Sequence, residues 1–258
     1  MGDQPIVQLK NVGKSYGPVV SLHDVSLEIG SNEIVGLIGD NGAGKSTLIK
    51  IMTGVEPPTC GEVSIRGERI DFANYSVQRA HELRIETVYQ SSSLGTKQPL
   101  WRNFFVGRPI TNRLGFIKVA EQKRLSEQIM RETIGFRGTG IDVDTPVGRL
   151  SGGERQGVAI GRAMHFDSDL IVLDEPTVAL ALSEVEKVLN FIRSIKENGR
   201  SCIYIEHNIH HVHAVCDRLI VLDRGRLVLD CKTATMGYEE LITFLRDLHF
   251  GPQEAVAT

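Results

Sequence analysis

The stretch Gly39-Asp40-Asn41-Gly42-Ala43-Gly44-Lys45-Ser46-Thr47 constrains this chain more than any other. It satisfies the phosphate-cradling pattern G-x-x-x-x-G-K-[ST] at every fixed position. The apolar run Ile34-Val35-Gly36-Leu37-Ile38 leads into it and reads as a buried strand. Thr47 to Met52 reads as a helix that stops near Gly54. Strand, glycine-rich turn and helix in that order let successive backbone N–H groups face one anion, with the helix dipole behind them. Lys45 is placed to reach terminal phosphates, and the Ser46 hydroxyl to ligate Mg2+.

The 258 residues suffice for one substantial core with a subdomain set into it. A net charge of −3 carries no basic footprint, so nucleic acid is not expected as a partner. Four scattered cysteines, Cys60, Cys202, Cys216 and Cys231, lack metal-ligand spacing and read as reduced thiols. No apolar run approaches the roughly 20 residues of a membrane-spanning helix, and Met1 to Pro5 does not read as a signal peptide. Membrane association is expected only through another chain.

Further along, Ile6–Asn11 and Leu22–Ile29 alternate as strands with one wetter face. Between them Tyr16 precedes Gly17, an aromatic placed to stack on a flat ring or to join the core. Glu62–Gly67 and Ile85–Gln90 read as further strands. Gln90, at a strand exit, is either an Mg2+ ligand through its side-chain oxygen or a surface amide. Residues 91–165 read as a mainly helical subdomain, with a helix over Val119–Ile134 and the single tryptophan, Trp101. Leu150-Ser151-Gly152-Gly153-Glu154 opens a helix with a capping box, and the same turn offers N–H groups and a hydroxyl to an anion.

The run Asp169 to Thr177 is an apolar strand ending in Asp174 and Glu175. Two acids at a strand exit are costly unless they meet a cation or move protons. Asp174 suits a magnesium shell and Glu175 a general base that polarises water. Ser183–Asn198 reads as an amphipathic helix with a capping box from Ser183 to Glu186 and a stop at Gly199. Ser201–Ile205 is a buried strand exiting at His207, which is placed to reach a γ-phosphate. The neighbouring His210, His211 and His213 have helix-face spacing, but no H-E-x-x-H and no cysteine pair supports a metal there. Residues 218–229 read as a hairpin about Asp223-Arg224-Gly225, and residues 231–258 as a C-terminal helix and tail.

Together these motifs resemble the ATP-binding cassette of ABC transporters, over about residues 6–230. The resemblance rests on the phosphate loop, Gln90, the signature-like Leu150-Ser151-Gly152-Gly153-Glu154-Arg155-Gln156, the Asp174–Glu175 strand and His207, in the family's order. It implies an α/β fold: a P-loop NTPase core with a mainly parallel sheet, an N-terminal antiparallel β-subdomain and an inserted helical subdomain. It implies one cassette over residues 1–258, an ATPase using ATP and Mg2+. By resemblance Tyr16 stacks on adenine, and Gly39, Asn41, Gly42, Gly44, Lys45, Ser46 and Thr47 cradle the phosphates. Ser46, Gln90 and Asp174 serve the metal, and Glu175, His207 and Lys45 the reaction.

The resemblance also implies partners. Two cassettes pair head to tail, each ATP lying between the phosphate loop of one and Ser151, Gly152 and Gly153 of the other. Transmembrane permease subunits would dock at the helical subdomain, on the cytoplasmic face of the membrane. A periplasmic or extracellular solute-binding protein would act indirectly. The segments around Gln90, Thr177 and His207 are similar to bacterial importers of simple sugars such as fructose, ribose and xylose. The alternatives are a nucleotide-gated interaction module with little turnover, and a cassette serving another importer class such as amino acids. One position departs from the family: Ala181 stands where an aspartate is usual after Pro176-Thr177.

Overall fold

A computed structural model describes residues 4–88, 94–131 and 141–250, excepting the side chains of the last two. Two sheets form its frame. The first strands, β1 (Val7–Tyr16) and β2 (Val19–Ile29), make a long antiparallel hairpin, and β4 (Cys60–Ile65) and β5 (Glu68–Arg69) extend it in the order β2-β1-β4-β5. Both hairpin strands run longer than alternation alone indicates. Register shifts between Leu9 and Ser15 break the period while pairing continues to Tyr16 and Val19.

The second sheet contains β3 (Ile34–Ile38), β6 (Ile85–Val88), β7 (Leu170–Asp174), β8 (Ser201–Ile205), β9 (Arg218–Asp223) and β10 (Arg226–Lys232), in the order β10-β9-β3-β8-β7-β6. All neighbours are parallel except β9 and β10, which form the hairpin expected about Arg224 and Gly225. The central strands are apolar because both faces are covered. Val35 and Leu37 of β3, Leu170 and Val172 of β7, and Ile203 and Ile205 of β8 point into a core shared with the antiparallel sheet and α1 (Lys45–Met52). Their alternates Ile34, Ile38, Ile171, Leu173, Cys202 and Tyr204 point into a second core. That core is closed by α3 (Leu100–Phe104), α5 (Gly152–His165), α6 (Leu182–Glu197) and α7 (Ile209–Val215).

Two short helices carry no sequence period long enough to predict them: α2 (Val77–Glu82), capped by Ser76, and α3. In the helical part, α4 (Val119–Ile129) passes into a π turn at Met130 and Arg131. The expected continuation to Ile134 lies outside the described residues, as does Gln90. Trp101 is buried and donates from Nε1 to Asp144 at 3.1 Å. The last helix, α8, covers Tyr238–Phe250.

One cap differs from expectation. Helix α6 begins two residues earlier than a cap at Ser183 would place it, with Ala181 at the N-cap. Alanine offers no acceptor, so only half of a capping box forms: Glu184 reaches back to the Ala181 N–H at 3.2 Å. Ser183 lies inside the first turn and does not cap with Glu186.

The strand order decides where chemistry can sit. β8 lies between β3 and β7, so the C-terminal ends of all three strands open side by side. Crevices outside such strand ends are where open α/β sheets hold ligands.

Candidate functional site: a phosphate cleft at the strand ends

β3 delivers the chain into the glycine-rich loop, and Gly44 is the residue on which its turn depends. Its φ of 103° is left-handed. A Cβ there would also lie 2.7 Å from both the Ser21 carbonyl and the Leu22 side chain. The loop is braced from outside by the β9–β10 turn: Gly225 N–H donates to Ala43 O at 2.9 Å, and Gly225 O accepts from His23 N–H at 2.7 Å.

Ser21, Asp40, Asn41, Gly42, Gly44, Lys45, Ser46, Thr47 and Glu175 line one cleft. Lys45 is 7% exposed, and its Nζ donates to the carbonyls of Gly39 at 2.6 Å and Asp40 at 2.9 Å. Burial lowers its pKa, and Glu175, Asp40 and Asp174 oppose that shift. Ser46 is exposed at the cleft, whereas Thr47 is buried and shares a hydrogen bond of 2.8 Å with the Ser21 hydroxyl. Tyr16, 43% exposed at the end of β1, carries Lys14 Nζ 5.0 Å from its ring centroid. Its flat face is accessible for stacking rather than consumed by the core.

β7 ends in Asp174 and Glu175. Desolvation, then the adjacent Glu175 charge, raises the Asp174 pKa, with Lys45 and His207 opposing. A half-buried carboxylate beside another is a donor set that fits a hard divalent cation. Glu175 adopts φ 49°, uncommon for a residue with a side chain, and donates its N–H to Ile205 O at 3.0 Å. That bond ties the exit of β7 to the exit of β8. The Glu175 Oε1 then meets His207 Nε2 at 2.6 Å.

Besides Ser21 in the cleft lining, a second residue at this site escaped the sequence reading. Glu206 is 4% exposed, and its carboxylate is a hub. It accepts from the Thr177 hydroxyl at 2.6 Å and from the His207 N–H at 3.1 Å, with the Tyr204 hydroxyl and Asn208 N–H at 3.5 Å. It thereby joins the loop after β7 to the loop after β8. The available signal was its place: a lone acid at the end of a strand rich in apolar residues needs donors around it.

The other histidines are accounted for locally. Asn208 caps α7, His211 lies against the Asn208 amide, His210 and His213 pack on the Tyr238 ring, and His213 Nε2 lies 3.0 Å from Met236 O. No group of three metal-ligating side chains occurs among the described residues.

Ser151, Gly152 and Gly153 are not brought to the phosphate cleft. They form the start of α5, where the capping box of Ser151 and Glu154 is present, and they pack against α6. Within one chain the cleft therefore lacks the second anion cradle suggested by the sequence.

A groove lies apart from the cleft, between α2, β6 and α5, lined by residues that include Val77, His81, Glu86, Val106 and Arg162. Glu86 is buried there against Arg108 at 2.8 Å and His81 at 3.5 Å. No helix among the described residues is long and apolar enough to cross a membrane.

Comparison with known proteins agrees with this geometry. The ABC transporter family profile matches residues 22–178. A xylose/arabinose import ATP-binding protein of Sulfolobus acidocaldarius is 37% identical over 95% of this chain and 96% of its own length. A fructose import ATP-binding protein of Rhizobium meliloti is 35% identical over the full length of both. A ribose import ATP-binding protein of Hahella chejuensis is 33% identical over 93% of this chain, which spans only 47% of that relative. Among solved structures, a nucleotide-free ATP-binding cassette from an ABC transporter superposes with a TM-score of 0.78 at 25% identity, covering 94% of this chain and 96% of that one. A dimeric cassette in a post-hydrolysis state, bound to ADP and phosphate, superposes with a TM-score of 0.72 at 26% identity, covering 88% and 98%. With a family match over more than half its length and a cleft built at the expected strand ends, the chain belongs to the ABC transporter family.

Proposed function

We propose that the chain is the ATP-hydrolysing subunit of an importer, and that its cargo is a monosaccharide. The observation that carries the enzymatic part is the Glu175–His207 pair at the rim of the phosphate loop. Lys45 leaves its two carbonyl partners for the terminal phosphates, and the loop amides carry the remaining phosphate charge. Tyr16 offers its exposed ring to the base. Glu175 orients the attacking water and draws its proton; His207, held against Glu175, keeps that carboxylate aimed. Ser46 and Asp174 would hold Mg2+, which when bound neutralises charge on the triphosphate.

The cleft takes phosphate from one side only. We infer that Ser151 and Gly153 of a second copy close it from the other, as the likeness to a dimeric cassette supports. Permease subunits are assigned to the groove with the Glu86–Arg108 pair, since it lies at the joint between the sheet edge and the helical part. Docked on such subunits, the chain would work at the cytoplasmic face of the membrane, with a solute-binding protein acting on the far side. The monosaccharide assignment rests on the import proteins for xylose/arabinose, fructose and ribose that the chain is similar to.

Phosphate release by the purified chain with Mg-ATP tests the core of this reading. Glu175→Gln is expected to reduce turnover by about 100-fold or more while binding of a fluorescent ATP analogue persists. Unchanged release in that variant refutes the assignment of Glu175.

A further inference from the structure

The donors assigned above to a second copy's terminal phosphate are already engaged from inside the chain. Gly153 N–H donates to Glu184 Oε1 at 3.2 Å. The Ser151 hydroxyl lies near enough to the same carboxylate to favour its charged form. Glu184 Oε2 also accepts from Ala181 N–H at 3.2 Å. One carboxylate, from the first turn of α6, thus sits across the N-terminus of α5.

The packing makes room for it. A Cβ on Gly152 would strike the Leu180 side chain and lie 3.3 Å from Glu184 Oε2. A Cβ on Gly153 would lie 2.9 Å from Glu184 Cβ and 3.3 Å from its Cα. Gly153 is therefore needed on the side that faces α6 independently of any ligand, whereas a Cβ on Gly152 meets mainly the movable end of Leu180. The Ser151 hydroxyl foremost, then the Gly153 and Ala181 N–H groups, lower the Glu184 pKa, so the seated group is an anion. A helix N-terminus with converging donors accepts a carboxylate for the same reason it accepts a phosphate.

We propose that Glu184 is an internal stand-in for the terminal phosphate of a second copy's nucleotide, holding the Ser151–Gly153 cradle until that phosphate displaces it. This rests on the composite site proposed above. One pair of donors cannot serve two anions, so closure of the dimer requires the carboxylate to swing away. It has somewhere to go: Glu184 is only partly buried, and Lys187 in the next turn attracts it. Ala181 fits the same scheme. An aspartate at that N-cap would set a second carboxylate against Glu184, whereas alanine presents only its N–H. Glu184 then sets the ATP concentration at which two chains close.

The full chain carrying Glu175→Gln, with Mg-ATP and light scattering to read dimer formation, tests this. If that parent forms no dimer at any ATP concentration, the composite site fails, and with it the premise of the stand-in. If it dimerises, adding Glu184→Gln should lower the half-saturating ATP concentration by about tenfold. Glu184→Asp keeps the charge but retracts it by one methylene, and should shift the midpoint the same way by less. An unchanged or higher ATP requirement in either variant overturns the proposal, because a merely structural tie would only be weakened. Where Glu184→Gln does not fold, Glu184→Asp decides by the same criterion. If neither folds, Glu184 is a structural tie and the proposal falls.

Discussion

Replacing Glu206 separates what places His207 from what His207 does. The carboxylate is buried and has two good donors, the Thr177 hydroxyl and the His207 N–H, plus two long ones. Glu206→Gln can keep both short contacts, since the Thr177 hydroxyl can turn to accept from the amide. Only the charge assistance is lost, about 1–2 kcal/mol. Glu206→Ala strands the Thr177 hydroxyl and the His207 N–H in the interior and leaves a cavity, so a loss of about 3–5 kcal/mol is expected. Urea unfolding followed by Trp101 emission reads both, because this single tryptophan is buried in the fold. Turnover should fall in both variants with little change in KM for ATP, because the phosphate loop is untouched while Glu175 loses its aligned partner. Equal stability losses for Gln and Ala, or turnover unaltered in Glu206→Ala, would refute the role of the carboxylate as the tie between the two loops.

Other outcomes follow from the same geometry. Because burial and Glu175 raise the Asp174 pKa, the folded chain binds that proton more tightly than the unfolded one. The resulting destabilisation is absent below the ordinary carboxylate range, grows as pH rises through it, and is constant above the raised folded value. Asp174→Asn should therefore raise the thermal midpoint of the nucleotide-free chain at neutral pH, with the gain vanishing in acid, while abolishing turnover. A lower midpoint at neutral pH would contradict this. Gly36→Ala should cost about 1–3 kcal/mol in urea unfolding, since its Cβ would press on Val212 and Cys216 of the α7 segment packed on β3. Wild-type stability there would mean α7 yields freely. A thiol reagent should modify exposed Cys60 rapidly, while Cys202 and Cys216, buried with thiol pKa values pushed up, react only on unfolding. Loss of the fast phase in Cys60→Ser checks the assignment.

The phosphate cleft was legible because its parts are contiguous in sequence. Gly39–Thr47, Asp174–Glu175 and His207 each sit where an apolar strand ends, and the residue types there have few structural uses. The parallel sheet was legible for the same reason, since strands such as Ile34–Ile38 and Leu170–Leu173 have no polar face. What escaped depends on contacts across long separations. Glu206 gains meaning only when Thr177 is beside it, and Glu184 only when Gly153 packs on α6. The N-cap at Ala181 escaped because alanine carries no capping signal, and Ser183 offered a false one two residues later. Helices α2 and α3 are too short to display a period.

Neighbouring strands in fixed register lead into the two side chains proposed to react: Asp174 pairs with Ile205, and Glu175, one residue on, touches His207, two residues on. The strands that hold them are interior to the sheet and share its two cores. The fold of this chain by itself therefore already sets acid against imidazole. On the proposed function, the pace of successive cycles is then expected to be set by the approach of a second copy rather than by bringing these two side chains together.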